Sequence, residues 1–272
     1  MFDERDIDRE ATFAVRNHIK RHTAGIWQQM PYSPAVGSAV LIEIADRLFL
    51  ATAAHNFSDI PRGGNYTIFP ATGSSDTPLV EIRHNFVEYG REGTLDLAWL
   101  EIEPQSAARS NIAGLPLRSL EPYHQLDSVR FWYNVIGFPW ERRSVQRSAV
   151  EDRYLIPLML YTTSPAQGLR PDSDELLLDY PEKGLNAQDE RHLPHPGGLS
   201  GGPIWSVPIL AANDTQLWTL DRFRLVGIVT HYLRTSQRLL GVPMRNWLRL
   251  LVDDNPELSP QIAPLLKQDA AG

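Results

Sequence analysis

Between residues 24 and 243 the apolar residues come in runs too short for helices, each closed by Gly, Pro, Asn or Asp. Gly37–Ile44 and Arg47–Ala51 flank a turn at Ala45-Asp46 and read as a β-hairpin. Further strand candidates are 66–69, 79–86, 97–102, 129–136, 154–161, 203–207, 217–220, 225–231 and 239–242. Many short strands at regular spacing argue for an all-β barrel or sandwich, because βαβ units would need a helical pattern between strands. Helical periodicity is confined to the two ends. Ile7, Ala11, Val15 and Ile19 give one apolar stripe from Asp3 to His22. Trp247, Leu248, Leu250 and Leu251 do so within Arg245–Val252, and a last short helix is expected near Gln261–Lys267. The stretch Ser164–Pro196 is long and polar and reads as an insertion without secondary structure, which in a compact domain is usually functional.

Composition narrows the function. The net charge of −7 with no basic block disfavours nucleic-acid binding. There are no cysteines, so neither disulfides nor thiolate metal sites are available. The opening MFDERDIDREATF has no apolar h-region, and no run of about 18 apolar residues follows. A cytoplasmic protein that neither enters nor spans a membrane is expected.

The chemistry concentrates in His195–Trp205, HPGGLSGGPIW. Glycines around Ser200 let the backbone approach a ligand, and the N–H groups of Gly198 and Ser200 are placed to converge beside the hydroxyl, as an oxyanion hole requires. Serine needs a base. Of eight histidines, His55 stands in a telling setting: Phe49-Leu50-Ala51-Thr52-Ala53-Ala54 runs from a strand into small residues that allow a tight turn. Asp96 opens the apolar strand LDLAWL, where a carboxylate is costly to bury unless hydrogen-bonded. Orienting a histidine would supply that partner. His18 and His22, four apart on the helix, lack a third ligand and read as a solvated helix end. His192 and His195 flank a proline and make a poor metal pair, so no metal and no other cofactor is expected.

LATAAH, LDLAWL and PGGLSGGPIW, in this order, resemble the three signature blocks of trypsin/chymotrypsin-fold serine peptidases, and LVGIVT resembles that family's cleft strand. Gly241-Val242-Pro243 followed by a helix resembles the C-terminal end of bacterial members. The resemblance covers about residues 25–252. It implies two six-stranded antiparallel β-barrels with minor helices: a helical arm over 1–24, a first barrel over 25–120, a second over 121–243, and a C-terminal helix and tail over 244–272. It implies a His55–Asp96–Ser200 triad working through an acyl-enzyme, with Thr230 supporting Asp96 and Thr230–Tyr232 pairing with the substrate backbone. Pro194, His195, Thr230, His231, Tyr232 and Gly241 would line the substrate cleft. No carboxylate falls at the pocket base, which disfavours a tryptic preference. An acidic or polar P1 residue read by histidine and a small apolar pocket partly closed by His195 and His231 both stay open.

Leu199 departs from the animal digestive pattern, where an aspartate pairs with a new N-terminus. Leucine excludes that activation route, so packing or a partner must hold the loop. The implied substrate is a protein or peptide, and the arm or the 164–196 insertion is a candidate surface for a regulatory partner. The alternative is a peptidase fold kept as a latent or inactive binding module. Gly198–Gly202 also satisfies G-x-S-x-G with Asp221 and His231 following, but Gly201-Gly202-Pro203 is a poor helix start for an α/β-hydrolase elbow.

Overall fold

The computed structural model describes residues 16–28, 35–57, 66–70, 80–82, 87–89, 95–109, 112–142, 144–147, 152–155, 157–166, 175–181, 193–208 and 222–267. The first half forms β1 (Thr23–Gln28), β2 (Ala35–Ile44), β3 (Arg47–Thr52), β4 (Tyr66–Pro70), β5 (Val80–Ile82), β6 (Val87–Tyr89), β7 (Leu97–Ile102) and β8 (Leu115–Pro116). They make one sheet in the order β5-β4-β1-β2-β3-β7-β6, with β8 parallel to β2. That is eight strands where six were expected, because short β5 and β6 extend the two edges and β8 is added. A helix, α1 (Pro104–Arg109), leaves β7.

The second half contains β9 (Phe131–Gly137), a separate hairpin of β10 (Ser144–Arg147) and β11 (Asp152–Leu155), β12 (Met159–Thr163), β13 (Leu176–Asp179), β14 (Pro203–Pro208), β15 (Arg224–Leu233) and β16 (Arg238–Pro243). Six of these form an antiparallel sheet, β12-β9-β14-β15-β16-β13. Two helices close the chain, α2 (Met244–Asp254) and α3 (Ser259–Leu266). The β2–β3 hairpin turns at Ala45 and Asp46, both at positive φ (51° and 62°), the backbone of a two-residue turn whose twist matches its strands.

Four expectations change. The single strand read over 154–161 is two strands in different sheets, broken around Pro157, which has no N–H to donate to a ladder. The 164–196 stretch is not structureless: β13 is a full edge strand on β16, and the Ala166 N–H bonds the Leu177 carbonyl. Thr23–Gln28 is a strand although it follows directly on the arm. The arm's end is not solvated either. Residues 16–20 are helical, Ile19 is fully buried, and His22 is 6% exposed with Nδ1 at 2.8 Å from the Ala113 carbonyl. The expected strand at 217–220 and the arm before residue 16 lie outside the described residues. Among the described residues no helix is long and apolar enough to cross a membrane.

One core cluster joins the two sheets to the chain ends. Ile42 and Phe49 of the first sheet, Ile136 and Trp205 of the second, Trp247 of α2 and Ile19 of the arm belong to it. Full burial of a side chain like Ile19 is worth about 1.5–3 kcal/mol. The Trp247 indole N–H donates to the Ala98 carbonyl at 3.1 Å, and Arg47 reaches Glu101, Asn255 and Glu257, so α2 and the turn after it lie across the strand that begins just after Asp96.

Candidate active site

Pairing between β3 and β7 brings the histidine and the carboxylate together. Thr52 stands opposite Ala98 in that register, so His55 and Asp96 lie just beyond the paired ends. A single 3-10 turn, Ala54–Phe57, follows β3, anchored by buried Ala54 and Phe57, and it lifts His55 to the surface. Asp96 accepts two bonds from His55: the backbone N–H reaches Oδ1 at 2.9 Å, and ring Nδ1 lies 2.5 Å from Oδ2. Burial pushes the Asp96 carboxyl up, but the side-chain bond and charge of His55 outweigh it and hold the group below the ordinary aspartate range. Asp96 is therefore ionised at neutral pH and fixes the imidazole in one orientation.

The serine loop is anchored by the other half of the chain. Gly198 and Gly201 have φ of +94° and +83°, which L side chains rarely adopt. A methyl on Gly201 would meet the Ser38 carbonyl at 1.9 Å and the Thr52 hydroxyl at 2.1 Å. The Ser38 hydroxyl donates to the Gly198 carbonyl at 2.6 Å and accepts the Phe138 N–H at 3.0 Å. The Ser200 carbonyl accepts from the Ser38 N–H at 2.8 Å and from the Asn56 amide at 3.0 Å. Leu199 is fully buried among Tyr133, Val135, Tyr180 and Ile204. Packing and hydrogen bonds thus take the place of the missing ion pair.

These bonds also set two peptide orientations. In a trans peptide the C=O and N–H point in opposite directions. The Gly197 carbonyl is held by the Trp140 N–H at 2.8 Å, so the Gly198 N–H points away from Trp140. The Leu199 carbonyl is held by the Gly202 N–H at 2.8 Å, so the Ser200 N–H points away from Gly202.

The Ser200 hydroxyl donates to the Thr230 carbonyl at 3.2 Å. Thr230 does not support Asp96 as expected. It is the extra residue of a bulge in β15, and its buried hydroxyl donates to the Leu240 carbonyl at 3.3 Å. The residue beside the carboxylate is His231, with Nδ1 3.7 Å from Asp96 Oδ2. Among the expected cleft residues, His195 and Tyr232 are neighbours, their rings 6.1 Å apart. The Pro194 carbonyl accepts the buried Tyr180 hydroxyl at 2.8 Å, and the His195 N–H donates to Glu141. Gly241 lies inside the sheet, where a Cβ would meet Ile204 at 2.3 Å. Sequence reasoning missed Ser38, Asn56 and Tyr180.

No protein-family model and no curated protein matches this sequence. Solved structures do. The crystal structure of a serine endoprotease from Yersinia pestis superposes with a TM-score of 0.52 at 16% identity, over 91% of this chain and 66% of that one. The chain has the chymotrypsin-like fold. Two others are similar: a thermostable serine protease, AL20, from an extremophilic microorganism (TM-score 0.46, 14% identity, 82% of this chain and 91% of that one) and the HtrA-type protease AlgW with a tripeptide (0.49, 16%, 88% and 62%). The chain spans about two thirds of the Yersinia protein's length and less of AlgW's. In the chymotrypsin-like fold of this chain the first sheet carries His55 and Asp96, and the second carries Ser200 just before β14.

Proposed function

We propose that the protein is a serine endopeptidase that cleaves peptide bonds through an acyl-enzyme on Ser200. One observation carries this reading: His55 is clamped to an ionised Asp96 by two hydrogen bonds, in a fold that also presents Ser200 between amides turned away from their neighbours. In the reaction the Ser200 proton leaves the Thr230 carbonyl for His55 Nε2 as Oγ attacks the scissile carbonyl, since one hydroxyl proton serves one acceptor at a time. The Gly198 and Ser200 N–H groups receive the oxyanion. His55 then gives the proton to the leaving amine, and water repeats the sequence on the ester. Release of the Ser200 hydroxyl frees the Thr230 carbonyl for the substrate backbone, which lies along Thr230–Tyr232 as an added strand.

The substrate is a protein or peptide. A small apolar P1 side chain suits the cleft best, because Ile204 and Leu176 occupy the space beside Gly241. In this reading residues 25–120 and 121–243 are the two barrels, and the arm and the 164–196 stretch are the surfaces through which a cytoplasmic peptidase is regulated. A fluorophosphonate probe tests the reading. It labels the wild-type chain and leaves Ser200→Ala unlabelled; a wild-type chain that resists labelling and hydrolyses no peptide in a library would favour the latent binding module.

A further inference from the structure

The bulge in β15 has a consequence beyond the triad. The register slips by one residue between Val229 and His231, so Thr230 turns into the core and His231 turns out to the cleft. The His231 ring then stands 5.5 Å from the His55 ring, and its Nδ1 stands 3.7 Å from Asp96 Oδ2. A peptidase triad needs one imidazole on its carboxylate. Here two imidazoles face the same carboxylate.

We infer that His55, Asp96 and His231 form a site for a divalent cation of the zinc class, and that metal bound there disables the triad. One ligand atom from each of the three lies within 4.8 Å of the others. Bonds to zinc of about 2.0–2.2 Å put ligand atoms on a tetrahedral ion roughly 3.3–3.5 Å apart, so a separation of up to 4.8 Å must close by roughly 1.5 Å. The 3.7 Å between His231 Nδ1 and Asp96 Oδ2 is nearly right, and the 2.5 Å His55–Asp96 bond must open. The His55 and His231 side chains are 42% and 54% exposed, which opens an entry path for the ion. The three ligands come from three separately anchored elements: the turn after β3, the start of β7 and the bulge of β15. Two nitrogens and one carboxylate oxygen suit zinc, cobalt or copper, whereas magnesium and calcium take oxygen shells. A fourth position stays open to water.

The consequence for the reaction follows from what the ion displaces. Asp96 Oδ2 cannot both ligate a metal and accept the His55 ring proton, and a ligated His55 cannot take the proton of Ser200. Metal and catalysis exclude one another. The inhibition rests on the peptidase reading of the previous subsection; the binding does not.

Titrating the full chain with Co2+ alone, followed by its visible d–d absorption, tests the site. The expected result is a saturable 1:1 band that Zn2+ abolishes, equally strong in Ser200→Ala. His231→Gln and His231→Asn should each weaken binding by at least about tenfold. No saturable band in either wild type or Ser200→Ala overturns the site, and so does unchanged affinity in both His231 variants. Fluorophosphonate labelling of the wild type with and without Zn2+ tests the inhibition. Labelling that is equally fast in both overturns it. A cobalt band that depends on His231 in a chain that never labels would keep the metal site and reject the peptidase.

Discussion

Ser38 and Gly198 lie 160 positions apart in sequence, yet the hydroxyl of the first donates to the carbonyl of the second at 2.6 Å. Ser38 belongs to a strand of the first sheet, and Gly198 opens the serine loop of the second. With Leu199 in place of an ion-pairing aspartate, this bond and its neighbours hold the loop in shape. Replacing Ser38 by Ala should cost about 1–3 kcal/mol of stability, because the buried Phe138 N–H and the Gly198 carbonyl both lose a partner. The sharper readout is kinetic. Peptide hydrolysis and fluorophosphonate labelling should fall together in rate by about tenfold or more, a loss of roughly 1.4 kcal/mol in transition-state stabilisation. Unchanged labelling of a folded Ser38→Ala chain would mean that the loop holds itself.

Gly201→Ala is expected to be far worse than an ordinary surface change. The residue must adopt a φ of +83°, and its methyl would be forced against the Ser38 carbonyl and the Thr52 hydroxyl, neither of which can retreat without breaking the bond between them. Chemical denaturation should show a loss above about 1 kcal/mol, and labelling at Ser200 should drop with it.

Asp96→Asn should leave the fold intact and lower turnover by about three to four orders of magnitude, the loss expected when the group that orients the imidazole can no longer stabilise its cation. Thermal unfolding close to wild type beside the collapse in rate is the diagnostic pair. A tenfold effect or less would mean that His55 does not work through Asp96.

The arm carries a pH signature in stability. Burial drives the His22 imidazole from its usual range down to about 4, against the opposing bond to the Ala113 carbonyl. The unfolded chain, with an ordinary pKa near 6.5, binds that proton first, so stability is fully present above about pH 6.5 and is lost as pH falls toward 4. Denaturation midpoints measured across this window should slope downward in the wild type and much less in His22→Gln. Ile19→Ala, which hollows the core shared by both sheets, should cost about 2–5 kcal/mol at any pH.

The serine loop, the histidine after LATAA and the aspartate of LDLAWL stood out in the sequence because each breaks a local rule: glycines crowd a strand entrance, and ionisable groups sit at the ends of apolar runs. The hairpin over Gly37–Ala51 was visible through two short apolar runs flanking a two-residue turn. Ser38 was hidden, since a hydroxyl in a strand gives no sign of a partner 160 residues away. β13 was hidden too: LLLD is short, sits in polar surroundings and becomes a strand only because β16 offers an unpaired edge. His22 looked like an exposed helix residue because its partner, the Ala113 carbonyl, is remote in sequence.

By itself, then, the sequence determined the β class and singled out His55, Asp96 and Ser200 as candidates, because periodicity and local chain geometry are short-range properties. Tertiary structure decided what those residues face. A one-residue slip in β15 turned Thr230 away from Asp96 and put His231 beside it. Such a slip is set by how two strands pair, and pairing is a contest among distant edges that no local stretch of sequence can settle.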